Sequence, residues 1–207
     1  MRTKGSLLVV TAPSGAGKTT VLSRLRELQP ELCFSVSATT REPREGERDG
    51  VDYHFLDRAS FEQRIAASEF LEHAEVHGRL YGTLRTETED RLTDGLDVLL
   101  DIDVQGAAQV RETGFPARFV FLLPPSREEL ERRLRGRGTE TEEVVLRRLQ
   151  AARSEMEEAT RFDDLVVNDD VETAARAMQA IVLARRSTRE AQEERLHSVL
   201  ASFRDET

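Results

Sequence analysis

One eight-residue stretch, Ala12-Pro13-Ser14-Gly15-Ala16-Gly17-Lys18-Thr19, limits what this chain can fold into more than any other feature. It follows a short apolar run at residues 7–10 and opens residues 18–28, where Val21, Leu22, Leu25 and Leu28 recur at helical spacing. Strand, glycine-rich turn and helix is the context in which a phosphate-binding loop forms. Small residues let successive backbone N–H groups turn inward, and the start of the helix adds positive potential where anionic oxygens sit. The stretch therefore points to a nucleoside triphosphate, with Lys18 reaching the β- and γ-phosphates and the Thr19 hydroxyl holding Mg2+. A glycine-rich turn before an ordinary helix is the competing reading, and the Lys-Thr ending argues against it. Ala12 stands where the motif usually has its first glycine. Because Gly15 and Gly17 are retained, a negative φ, at which Ala costs little, is expected at Ala12.

The rest of the chain is organised around that loop. Its 207 residues suffice for one domain with a core that needs no metal or disulfide staple. Apolar runs at residues 7–10, 33–36, 98–102, 119–123 and 165–167 alternate with helical patterns, which predicts an α/β fold with a mostly parallel central sheet. After Pro124 and Pro125, Ser126 with Glu129 reads as a capping box opening a helix through Leu134. Gly136 and Gly138 break it, and Thr139 with Glu142 is expected to open a second helix to about Thr160. Residues 37–95 are polar and turn-rich, with aromatics at Tyr53, Phe55, Phe61, Phe70 and Tyr81, and read as an insertion between core strands. Residues 171 to about 203 read as helical, strongly charged in the last third.

Composition excludes several classes. Thirty Lys and Arg against 39 Asp and Glu leave a net charge of −9, the opposite of what a general nucleic-acid binder needs. The apolar run at residues 7–10 is too short for the core of a signal peptide or for a membrane span, so neither a nucleic acid nor a membrane is expected as a partner. Cys33 is the single cysteine and can form neither an internal disulfide nor a Cys-based zinc site, which fits a reducing, cytoplasmic setting. Lys4 and Lys18 are the only lysines among 30 basic residues, so Lys18 marks a place where arginine was not used.

Three further groups carry chemistry. Arg41 and Arg44, stiffened by Pro43 and followed by turns at Gly46 and Gly50, make a clamp for one phosphate, to which a Tyr hydroxyl adds a donor. Solvated loop charges are the alternative. Asp101 and Asp103 flank a single Ile at the end of a buried strand, so alternation points both to one side, beyond the carboxyl ends of the strands where ligands of α/β sheets bind. Asp101 is the candidate for Mg2+, a role open to Asp103 as well, and capping of the next helix is the competing account for both. Arg132, Arg133, Arg135 and Arg137 precede Gly138, with Arg147 and Arg148 on the next helix. They suit the charge that develops on a transferring phosphoryl group, or else pair with the many neighbouring Glu residues.

Taken together, these motifs resemble the guanylate kinase family. The resemblance spans about residues 5–186 and rests on the phosphate loop, residues 37–55, Glu69-Phe70-Leu71-Glu72, the Tyr81-Gly82 of residues 78–83, Leu100-Asp101-Ile102-Asp103-Val104-Gln105-Gly106, and residues 124–143. It implies a P-loop NTPase three-layer fold with a parallel central sheet. The core would comprise residues 5–36, 96–131 and 154–186, with an inserted nucleoside-monophosphate subdomain at about 37–95, a helical lid at about 132–153 and a charged helical tail at 187–207. It implies transfer of a phosphoryl group from ATP to GMP, and to dGMP, with Mg2+. ATP would be held by Ala12, Pro13, Ser14, Gly15, Ala16, Gly17, Lys18, Thr19, Arg133, Arg137 and Asn168. The GMP phosphate would meet Arg41, Arg44, Tyr53 and Tyr81, and the base Ser37, Glu72, Thr83 and Asp103. Lys18, Arg41, Arg133, Arg137 and Arg148 would act in catalysis, and Thr19 and Asp101 would serve the metal.

Guanine chemistry agrees with that assignment. Donors at N1 and N2 suit carboxylates, and acceptors at O6 and N7 suit hydroxyls; adenine would set an acceptor against Glu72, leaving a buried charge unpaired at about 3 to 5 kcal/mol. Two rivals remain: a P-loop kinase for a sugar phosphate, and a protein-binding module of the same fold, which typically lacks the intact Lys18-Thr19 ending. For the tail, self-association and solvation both stay open, as do monomer and homodimer.

Overall fold

A computed structural model describes residues 4–136, 141–189 and 191–203. In chain order the elements are β1 (Leu7–Thr11), α1 (Lys18–Leu28), β2 (Cys33–Phe34), β3 (Ser37–Thr39), β4 (His54–Phe55), α2 (Arg58–Ala66), β5 (Phe70–Val76), β6 (Arg79–Leu84), α3 (Arg85–Thr93), β7 (Val98–Asp101), α4 (Val104–Glu112), β8 (Arg118–Leu123), α5 (Arg127–Arg135), α6 (Glu142–Glu158), β9 (Asp164–Val167), α7 (Val171–Arg186) and α8 (Glu193–Ser202).

β1 has no polar face, and the reason is its place in the sheet. Five strands run in the order β2-β7-β1-β8-β9, every neighbouring pair parallel, with β1 in the middle. Leu8 and Val10 face a layer built from α1 and α7, where Val21, Leu22, Leu25, Ala174, Met178 and Val182 are buried. Leu7 and Val9 face the other way, onto Val98, Leu100, Ala107, Val110 and Phe119. Burial on both faces demands the continuous apolar run that the sequence shows. The result is three layers, with the loop after β1 delivered to the carboxyl edge of the sheet.

Strands β3 to β6 form a second sheet in the order β4-β3-β6-β5. It is antiparallel except for the β3–β4 pair, and Ala38, Phe61, Phe70 and Leu80 form its own small core, with the Phe61 and Phe70 rings stacked 4.4 Å apart.

Four expectations need correction. The strand expected at 33–36 pairs only at Cys33–Phe34; Ser35 N still donates to Leu99 O, and the chain then crosses to the second sheet at Ser37. Ser126 Oγ accepts from Glu129 N, but Glu129 does not complete the capping box, because its carboxylate is taken by Arg132 and Arg133, in that order of strength, and its pKa falls to about 2. α6 begins at Glu142 behind Thr141; Thr139 lies outside the described residues. The expected continuous C-terminal helix is two helices. Thr188 Oγ accepts from Ala191 N and Gln192 Nε2 donates to Arg186 O, so side chains satisfy the backbone groups freed at the end of α7.

The amino-terminal edge of the sheet is pinned by Asp97. It is 2% exposed, accepts from Ser6 N at 2.8 Å and from Arg186 Nε at 2.6 Å. Asp97→Ala strands the Ser6 amide while Arg186 stays partly hydrated, so urea unfolding should show a loss of about 2 kcal/mol.

Candidate active site

The phosphate loop is shaped by two glycines and propped from below. Gly15 and Gly17 both have φ of 92°, whereas Ala12 does not have a positive φ, as the sequence implies. A Cβ at Gly17 would come within 2.5 Å of Asn168 Nδ2, and one at Gly15 within 2.8 Å of Leu134, so both positions are closed to larger residues. Gly17 is the N-cap of α1 and brings no capping side chain, leaving the first amides of that helix for an anion. Asn168, 2% exposed, donates from Nδ2 to Ala16 O at 2.7 Å. Arg133 donates to Ala16 O at 3.2 Å and to Asn168 O at 3.0 Å, with its Nε on Glu129. In this conformation Asn168 and Arg133 both hold the Ala16 carbonyl of the loop. Asp170, beside Asn168, caps α7 by accepting from Thr173 N.

Lys18 ties the loop to the neighbouring strand. Its Nζ lies 2.7 Å from Asp101 Oδ1 and donates to Ile102 O at 2.8 Å. Thr19 and Asp101 line one cleft with Phe34 and Arg26. The alternation argument for Asp101 and Asp103 meets a different local structure: β7 ends at Asp101, and Asp103 is the N-cap of α4, accepting from Gly106 N at 2.8 Å. Arg148 sits half-buried on α6, and Arg137 lies outside the described residues.

Across from the loop, the second sheet brings together residues scattered in sequence. Ser37 on β3 pairs with Thr83 on β6, and Thr83 pairs with Glu72 on β5, so the three form one row across adjacent strands. Tyr81, two residues along from Thr83, shares its face. Glu72 is 8% exposed and accepts from Thr83 Oγ1 at 2.7 Å. Burial, chiefly, and then the negative charge of Asp103 push its carboxyl pKa up, against the Thr83 hydrogen bond. Arg41 lies 5.1 Å from the centre of the Tyr53 ring, and Tyr53 meets Tyr81 edge-on at 6.3 Å. The Arg41 fork is held by Glu47 in two bonds of 2.9 and 2.8 Å, and Arg44 N donates to the same carboxylate at 2.7 Å.

A P-loop on a three-layer core, with a second sheet carrying the buried Glu72, invites comparison with known proteins. A guanylate kinase family model matches residues 4–185. The guanylate kinase of Aromatoleum aromaticum is 52% identical over 182 residues, 88% of this chain and 89% of that protein. That of Frankia casuarinae is 52% identical over 177 residues, 86% and 96% of the two chains. The crystal structure of guanylate kinase from Anaplasma phagocytophilum superposes with a TM-score of 0.68 at 35% identity, covering 94% of this chain and 97% of the other. The chain belongs to the guanylate kinase family.

Three side chains of this guanylate kinase family member escaped the sequence reading. Glu47 looks like one more loop acid until the fold closes it onto Arg41. Glu155 on α6 accepts from the loop amide of Ser14 at 3.3 Å, and burial raises its pKa. Gln109 on α4 bonds the backbone of β5. The Glu155 and Gln109 contacts join elements far apart in the chain, and the Glu47 contact closes a turn within one loop. A cleft of about 660 Å³ lined by Lys4, Glu31, Asp97, Arg186 and Arg195 lies at the opposite edge of the sheet, away from the loop.

The Glu72 shift has a sign that can be measured. An unfolded Glu titrates at lower pH than the buried one, so across the interval above the ordinary carboxylate value the folded chain holds more protons and loses stability as pH rises. Glu72→Gln removes that cost while keeping an acceptor for Thr83. Thermal unfolding of the nucleotide-free variant at pH 7.5 should give a Tm above the parent's, with the gap closing toward pH 4.

Proposed function

We propose that this chain transfers the γ-phosphoryl group of ATP to GMP, giving ADP and GDP, in purine nucleotide metabolism. The reading rests on family membership and, in the chain itself, on a P-loop together with the Ser37–Thr83–Glu72 row, in which Thr83 and Glu72 are buried. On this reading ATP lies along Ala12 to Thr19, with its phosphates on the amides at the start of α1 and on Lys18. The GMP phosphate meets Arg41, Arg44, Tyr53 and Tyr81. Its N1 and N2 donors face Glu72, with Asp103 beside it, and its acceptors face the Ser37 and Thr83 hydroxyls. dGMP is proposed as a second acceptor.

An oxygen of the GMP phosphate attacks the γ-phosphorus in line as the bond to the β–γ bridging oxygen breaks. No covalent enzyme intermediate is needed. Lys18, Arg41, Arg133, Arg137 and Arg148 supply the positive charge around the equatorial oxygens, and closure of the lid at about 132–153 excludes water. Thr19 and Asp101 offer a hydroxyl and a carboxylate in one cleft, hard oxygen donors of the kind Mg2+ takes while keeping its waters. Bound there, Mg2+ neutralises charge on the β- and γ-phosphates. Residues 37–95 serve as the acceptor subdomain on a core of 5–36, 96–131 and 154–186, with 187–207 as a tail. A cytoplasmic location fits the single Cys33, and among the described residues no helix is long and apolar enough to cross a membrane.

The test is ADP release measured with MgATP and each of GMP, AMP, IMP and ribose 5-phosphate. Release should depend on GMP and fall by about 100-fold or more in Lys18→Ala. Equal rates with AMP or with the sugar phosphate would overturn the assignment of acceptor.

A further inference from the structure

β5, which carries Glu72, is an edge strand. The backbone of His73, the next residue, turns its N–H and its C=O away from β6, and both are met by one side chain from the core. Gln109 Oε1 accepts from His73 N at 3.0 Å, and Gln109 Nε2 donates to His73 O at 2.9 Å. A side-chain amide here does what a fifth strand would do, pairing with both outward groups of a single residue. Among uncharged side chains of this length only an amide has one donor and one acceptor so placed.

The position of this clip gives it a consequence for the acceptor pocket. Gln109 lies three residues beyond Gly106, on the same face of α4. A Cβ at Gly106 would come within 3.2 Å of Glu72 Oε2, so the carboxylate rests directly on the helix. Asp103 caps that helix through the Gly106 amide and adds to the electrostatic push on Glu72. Glu72 thus belongs to one sheet and Asp103 to an element packed on the other, and the Gln109–His73 pair is the hydrogen-bonded link between them nearest to Glu72.

We infer that Gln109 is a positioning residue for purine selection: it holds β5 against α4 so that the Glu72 and Asp103 carboxylates keep the separation at which they read the edge of the acceptor base. This inference rests on the proposed acceptor site. It concerns affinity for the monophosphate and choice of base, and leaves the ATP side alone.

The experiment compares the parent with Gln109→Met, which keeps length and helix preference but removes both bonds, and with Gln109→Ala, which shortens the side chain. Initial rates with GMP and with IMP, which lacks the exocyclic amine, give KM and kcat for each, and KM for ATP is measured alongside. Both variants should raise KM for GMP about tenfold, leave KM for ATP within about twofold, and narrow the GMP-to-IMP ratio of kcat/KM. A KM for GMP within about twofold of the parent in both variants, with the base ratio unchanged, overturns the inference even if Tm falls, since Gln109 would then only support the fold. A parent that does not turn over GMP would instead sink the proposed function, and this inference with it.

Discussion

Everything in the site is referred to the contact of the Lys18 ammonium with the Asp101 carboxylate and the Ile102 carbonyl. That contact fixes the phosphate loop to the end of β7, and the residues immediately following β7 then pack against Glu72 and β5, the proposed acceptor side. Asp103 caps α4, Gly106 backs Glu72, and Gln109 clasps β5. A single run of nine residues, 101–109, joins the phosphate loop to the strand that carries Glu72. The parallel sheet makes this possible, because β1 and β7 end on the same edge and their following loops share one space.

The electrostatics of the site follow from the same arrangement. Glu72 and Glu155 are both pushed toward the neutral form by burial and by Asp103, while Lys18 opposes the shift at Glu155. On the phosphate side, Glu47 occupies the Arg41 fork and Glu155 touches the Ser14 amide, so carboxylates of the chain itself satisfy groups suited to phosphate oxygens. Glu72 is the buried carboxylate of the proposed base site, where donors such as guanine N1 and N2 would suit it.

Much of this was legible in the sequence because the signals are local. The loop between β1 and α1, the continuous apolar run of β1 and the polar 37–95 stretch with its aromatics each carry their physics within a few residues, and the structure follows them in its three layers and separate second sheet. The ends of elements were less legible. Asp103 left the strand pattern to cap α4, the Glu129 carboxylate preferred two guanidinium groups to a backbone amide, and Thr188 broke the last helix, each a competition between a side-chain bond and a regular element. The contacts of Glu155 and Gln109 were invisible, since they depend on which elements the fold brings together, and that of Glu47 depends on how one irregular loop turns.

The central claim is that the acceptor lies on the second sheet with its phosphate toward Arg41 and its base toward Glu72. A crystal structure of the protein with GMP tests it most directly. The account predicts phosphate oxygens within hydrogen-bond reach of Arg41 and Arg44, and the N1 and N2 edge within reach of the Glu72 carboxylate. GMP ordered at any other place, or lying there with its base turned away from Glu72, would contradict it.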